Sequence, residues 1–258
     1  SLIGTVASST AATADEVRAI VDQANLAAFY AATDGRSEAR MTITDSQGRV
    51  QRRQFTLLRK DVEDGGDQQM MIFFSRPADV RGTVYRVAKH TSRDDDRWLY
   101  LPGLDLVKRI SAGDKRTSFV GSHFFYEDVS GRNPDLADFQ LLEQTPQQWL
   151  LEGIPKDSGS VEFSRYRVWI DKTSKLPRKV EFFDHQNKPY RQLEVLKTAV
   201  IDGHPTAIRS RMSDLASGAS TTLEFRHIAY DLGLPLTVFS ERSLRTPPRK
   251  YLARPKRQ

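Results

Sequence analysis

Residues 168–200 read VWIDKTSKLPRKVEFFDHQNKPYRQLEVLKTAV. Runs rich in β-branched and aromatic residues, at 161–171, 178–185 and 189–201, are parted by two polar clusters, Asp171 to Lys175 and Asp184 to Lys188. Such clusters are turn formers, and runs of this length between them are strands. The same rhythm extends in both directions. Further turn clusters stand at Asp45-Ser46-Gln47-Gly48, Asp64-Gly65-Gly66-Asp67, Asp94-Asp95-Asp96, Asp202-Gly203 and Ser217-Gly218. The remaining strands are predicted near 37–45, 49–61, 67–76, 82–91, 96–101, 106–111, 138–144, 147–153, 205–213 and 219–231. This spacing is that of an antiparallel meander that closes into a sandwich or a barrel.

Helices are few. Thr13 and Glu16 stand at capping-box spacing, and Val17, Ile20, Val21, Ala24 and Ala28 recur at helical intervals. They predict a helix to about Tyr30, with Asp15, Arg18, Asp22 and Asn25 on its wet face. The strand pattern lapses between 112 and 137. There Phe119, Phe124, Phe125 and Tyr126 lie among glycines and polar residues, and Asn133-Pro134 suits a helix start. The segment reads as a connection with one or two short helices crossing the barrel mouth. Another helical turn is expected at Pro235 to Leu244. With no internal repeat and no compositional break, the expected division is a flexible N-terminus (1–13), a single domain (14–246) and a flexible basic tail (247–258).

At 258 residues the chain can bury a core without staples, and it has no cysteine. Thiolate nucleophiles, disulfides and Cys-based zinc sites are thereby excluded. Lys+Arg number 39 and Asp+Glu 33, a net charge of +6. Part of the excess lies in Arg245, Arg249, Lys250, Arg254, Lys256 and Arg257, where no acid intervenes. This reads first as a solvated end, which would also be drawn to anionic lipid headgroups. No apolar run reaches the length of a membrane helix. Ser1 to Ser9 lacks the charged start and apolar length of a complete secretory signal.

Catalytic and metal motifs are absent from the sequence. His90, His123, His185, His204 and His227 form no metal-binding pattern, and there is no nucleophile elbow or phosphate loop. Glu127-Asp128 need not converge, because neighbours on a strand face opposite ways. Asp94-Asp95-Asp96 lacks the downstream Glu of a calcium loop and reads as a solvated turn. Arg52-Arg53, Arg59-Lys60 and Lys115-Arg116 make no nucleic-acid module. No enzyme, cofactor, metal or nucleic-acid partner is expected. The apolar runs Met70 to Phe74 and Trp98 to Leu101 read first as core. Val84, Tyr85 and Val87, however, put apolar residues on both strand faces, as in a sheet with a covering layer. A barrel of this size also exceeds what side chains fill, leaving room for an apolar cavity.

Three separated pieces carry a family likeness: Arg97-Trp98-Leu99-Tyr100-Leu101-Pro102, Val107-Lys108-Arg109-Ile110-Ser111, and Ser118 to Asp128 (SFVGSHFFYED). Phe74 to Thr83, and Trp169-Ile170-Asp171-Lys172 with Leu176 to Asp184, agree in order. The chain resembles the outer membrane lipoprotein-sorting proteins, in the LolA-like branch associated with RND-type (MMPL) transporters. That resemblance implies a mainly β fold: a half-open antiparallel β-barrel (LolA/LolB-like) with an N-terminal helix and short lid helices over an apolar face. It also implies periplasmic residence after signal removal and binding of lipid or lipoprotein acyl chains. An inner-membrane RND/MMPL transporter is the implied partner. The alternative role is an accessory or sensor subunit of such a transporter, using the barrel for docking. The chain departs from the family by carrying His123 where Asp is usual after Gly-Ser. The expected cavity and lid residues are Phe73, Val84, Trp98, Tyr100, Phe119, Phe124, Phe125, Trp169 and Phe182, with Gly121 as a lid hinge.

Overall fold

The computed structural model describes residues 11–256. Most of the expected flexible N-terminus, and the last two tail residues, lie outside the described residues. Helix α1 spans Ala14–Phe29, and its capping box forms as the sequence predicts: Thr13 Oγ1 accepts from the Glu16 amide, and the Glu16 carboxylate accepts from the Thr13 amide. Thirteen strands follow. They are β1 (Asp34–Thr44), β2 (Val50–Asp61), β3 (Gln68–Arg76), β4 (Val84–Lys89), β5 (Asp96–Leu101), β6 (Leu106–Ile110), β7 (Ala137–Gln144), β8 (Gln148–Pro155), β9 (Phe163–Asp171), β10 (Pro177–Asp184), β11 (Pro189–Ile201), β12 (His204–Asp214) and β13 (Ser220–Tyr230).

They form one antiparallel sheet in the order β6-β5-β4-β3-β2-β1-β13-β12-β11-β10-β9-β8-β7. Two meanders meet where β1 pairs with β13, from Gly35↔Tyr230 to Thr44↔Ser220. Strands β6 and β7 are left as edges, so the sheet does not close. Tight hairpins make this order cheap. Between β11 and β12, Asp202 and Gly203 take φ of 49° and 80°, the paired left-handed conformation that a two-residue hairpin needs. The 112–136 connection carries α2 (Tyr126–Ser130) and a 3-10 turn at Pro134–Leu136, where Asn133 Oδ1 accepts from the Asp135 amide.

Both faces of the β2–β5 region are covered. The inner face holds Met41, Phe55, Met70, Ile72, Phe74, Tyr85 and Val87, packed against Phe119, Phe124 and Tyr126 of the crossing segment. The outer face holds Leu58, Met71, Phe73, Val84 and Tyr100 under Leu234, Val238, Phe239 and Leu244. On the other half, Val17, Ile20, Val21 and Ala24 of α1 rest on Leu151, Val168 and Ile170. The segment after β13 contains a 3-10 turn (Leu236–Phe239) and the short helices α3 (Arg242–Arg245) and α4 (Arg249–Leu252). Within the stretch from 247, contacts to the sheet run as far as Arg254. Arg36 donates to the Leu252 carbonyl, and Arg254 forks onto Glu38 at 2.9 and 3.0 Å. The hydrogen bonds from Arg254 and Arg36 outweigh partial burial and hold the Glu38 carboxyl down at about 2.

Candidate functional site: an apolar cavity beneath a crossing segment

The sequence folds the 112–136 segment inward because its aromatic residues have an apolar face to bury. Phe119 packs at 5.3 Å from Tyr85, 5.7 Å from Phe74 and 5.8 Å from Tyr126, ring centre to ring centre. Val120 and Gly121 take φ of 47° and 75°, which turns the chain back at the tip.

Polar anchors then tie the segment to the wall. The Glu127 carboxylate is 2% exposed and accepts from Arg116 and Arg132, both at 2.9 Å, with Lys115 at 3.4 Å. Burial raises its pKa, but Arg132, Arg116 and Lys115 outweigh this and keep it below the usual range. Glu127 thus lies inside a cationic nest on a short helix, in the segment expected to carry short helices, so the alternation argued for neighbours on a strand does not apply to the Glu127-Asp128 pair. Asp128 pairs with Arg191 of β11, which also donates to the His123 carbonyl and lies 3.7 Å over the Phe125 ring. His123 donates its amide to Thr221 Oγ1 at 2.9 Å, with Nδ1 2.8 Å from the same oxygen. Burial lowers the His123 pKa.

Between this segment, α1 and the inner wall lies a cavity of about 360 Å³. That falls within the range of ligand pockets, roughly 300–1,000 Å³. Its lining is apolar or small: Ala27, Ala28, Phe29 and Ala31 from α1 and its exit, Met41, Phe55, Leu57 and Met70 from β1–β3, and Leu193, Leu223 and Phe225 from β11 and β13. Phe119 and Phe124 contribute from the crossing segment. The charged groups at its border are already engaged. Arg59 donates to Asp61 at 2.9 Å and to the Ala31 and Ala32 carbonyls, Arg36 to Glu38, and Asp128 accepts from Arg191.

Of the nine side chains named from the sequence, the cavity lining includes Phe119 and Phe124. Phe125 lies between Arg191 and Arg116, outside the lining. Phe182 packs with Phe163 and Tyr166 at 5.4 and 5.7 Å in a separate cluster. Phe73, Val84 and Tyr100 sit on the outer face beneath the C-terminal segment, outside the cavity lining. Trp98 lies on that outer face too, under Arg86 and Arg109 at 4.5 and 5.8 Å. Trp169 faces away from Val168 and Ile170, with Lys179 4.8 Å from its ring. The reason is the doubled apolar character of β3–β5, where alternation marks two faces without saying which is inside. The small residues were missed as well; the Ala27-Ala28 and Ala31-Ala32 pairs flanking Phe29-Tyr30 were a signal for a helix end that leaves room beside it.

The aspartate triplet lies at the turn between β4 and β5, with Asp94 exposed as expected and the other two drawn into contacts. Asp95 accepts from the His90 amide and Arg97, while Asp96 accepts from Arg93 and Arg109. Among the described residues no cluster suited to a metal ion is present, and no helix is long and apolar enough to cross a membrane.

A family model described as an uncharacterized protein matches residues 66–246. No curated protein matches. Among solved structures, a DUF1329 family protein from Desulfovibrio piger is 31% identical, covering 88% of this chain and 98% of that one, with a TM-score of 0.79. A domain from Vibrio parahaemolyticus, assigned to the outer membrane lipoprotein-sorting proteins, is 30% identical over 90% of this chain and 100% of that one, with a TM-score of 0.81. A LolA superfamily protein from Nitrosomonas europaea shares the fold at 19% identity and a TM-score of 0.67. The chain therefore belongs to the family of DUF1329 and outer membrane lipoprotein-sorting proteins, and its half-open barrel is the fold that the LolA superfamily protein shares.

Proposed function

We propose that the chain is a periplasmic carrier whose cavity takes the acyl chains of a lipid or lipoprotein on their way to or from the outer membrane. The observation that supports this most is an apolar cavity in which the bordering charges are already paired within the protein. Such a site offers nothing to a polar ligand that water does not. An acyl chain, in contrast, gains about 0.8 kcal/mol for each CH₂ it buries. Transfer needs a membrane-linked partner, and in this reading that is an inner-membrane RND/MMPL-type transporter. Arg249 and Lys250, exposed on the basic C-terminal stretch, add contact with anionic headgroups. The test is binding of a fluorescent fatty acid to lipid-stripped protein and its displacement by phospholipid. Saturable, displaceable binding at micromolar protein is expected, and its absence rules out the carrier role. Capture of a transporter by protein that neither holds nor binds lipid would instead favour an accessory or sensor subunit.

A further inference from the structure

The wall of the cavity is incomplete on one side. Strands β12 and β13 are paired only from Arg209↔Glu224 to Ser213↔Ser220. Beyond that, residues 204–208 of β12 stay paired with β11 as far as Ile201↔His204, and residues 225–230 of β13 stay with β1 as far as Gly35↔Tyr230. Each strand keeps its other neighbour while the two part from each other. His227, at φ 50°, and a register shift opposite Arg36–Glu38 mark the place where β13 bends away. Both lips of the resulting slot line the cavity, with Pro205, Thr206 and Ala207 on one side and Phe225, Ile228 and Tyr230 on the other. Tyr230 bridges them: its hydroxyl is 2.7 Å from Thr206 Oγ1, and its ring lies 5.1 Å from that of His204.

We propose that the acyl chain enters and leaves sideways through this slot between β12 and β13, with Tyr230 as the latch and the headgroup left outside in water. The inference rests on the carrier reading. Two routes into the cavity can be compared by what each must break. Lifting the crossing segment separates the buried Arg191–Asp128 pair, the Arg191 bond to the His123 carbonyl and both contacts to Thr221. Parting the slot breaks no ladder bond, since the facing backbone groups are not paired with each other there. It costs one bond between neutral hydroxyls and one ring contact. The slot is the easier gate by that comparison. The lips are also chemically suited to the task. Their cavity side is apolar, whereas Arg226, His227 and Asp231 are exposed beside them. The paired charges inside leave no berth for a headgroup. The ligand class is thus an acyl lipid recognised by its chain and tolerated with headgroups of any size.

The chain has no cysteine, so a specific pair can be introduced cleanly. In the Thr206→Cys/Tyr230→Cys protein, joined by a short thiol-to-thiol linker, release of a dansyl fatty acid into excess phosphatidylglycerol vesicles is followed by stopped flow. Release is expected to slow by roughly tenfold or more relative to the same protein left unlinked. A second link, His123→Cys/Thr221→Cys, fastens the crossing segment and is expected to leave the rate within about twofold of its own unlinked form. An unchanged rate in the slot-linked protein, or slowing by the second link alone, overturns the proposal. Tyr230→Phe gives an independent reading without a linker: it keeps the ring, loses the bridge and should release faster, while equal release counts against the latch. Failure of the unmodified chain to bind the probe removes the carrier reading itself, which separates that failure from a misplaced gate.

Discussion

Arg191 Nη1 lies 3.3 Å from Asp128 Oδ1, with side chains 5% and 13% exposed, and this pair joins the crossing segment to β11. Its second nitrogen serves Asp128 and the His123 carbonyl together, and its plane covers Phe125. One guanidinium therefore fixes the segment by charge, by hydrogen bond and by stacking.

Removing one partner leaves the other charged and buried. Asp128→Asn should destabilise the fold by about 3 kcal/mol, read as a lower urea midpoint with unchanged slope. Arg191→Lys should also destabilise, because an ammonium can neither fork nor stack in this way. Wild-type stability in both variants would remove this anchor from the account.

The cavity and the outer face make opposite demands on aromatic substitutions. Leu223→Trp fills the cavity from β13 and should weaken fatty-acid binding by at least about tenfold while the protein still melts cooperatively. Trp98→Ala removes a ring from the outer face and should leave binding unchanged. Binding lost in Trp98→Ala but kept in Leu223→Trp would place the ligand on the wrong side of the sheet for this account.

The contrast between those residues also shows where sequence reasoning stops. Turn clusters such as Asp184 to Lys188 and Asp202-Gly203 located thirteen strands, because turn chemistry is local. The cap at Thr13 was legible for the same reason. The face of each strand was not, since Met70 to Phe74 and Val84 to Val87 are apolar on both sides. What distinguishes the sides is the tertiary partner: Phe119 inside, Val238 and Phe239 outside. The covering role of residues 234–244 depends on contacts with strands more than a hundred residues away, and no local period records them. The unpaired stretch of β12 and β13 is likewise invisible in residues that read as good strand throughout.

Burial of Lys89 sets a pH dependence. Its ammonium donates to the Ser130 carbonyl at 2.8 Å and lies 4.8 and 5.0 Å from the Phe29 and Tyr30 rings. Burial pushes its pKa down to about 8. The unfolded chain, with lysine near ~10.4, holds more protons between those values, so this group's contribution to stability rises as pH goes from about 8 to about 10. The melting temperature of wild type minus that of Lys89→Met should therefore increase across that window. A flat difference would mean that Lys89 is not desolvated.

The C-terminal segment is part of the fold. Phe239 is 4% exposed under the β3–β5 face, and Phe239→Ala should cost about 3 kcal/mol of unfolding free energy. Arg254→Ala should be milder, removing only the exposed contact to Glu38 while Phe239 stays packed. Equal, negligible effects of both changes would show that residues 232–256 are dispensable.

The most direct measurement of the central claim is native mass spectrometry of freshly purified protein, before and after incubation with phospholipid vesicles. The account predicts a population heavier than the bare chain by the mass of one acyl lipid, lost on delipidation, restored by vesicles and diminished in Leu223→Trp. Bare chain alone, in every sample, would contradict it.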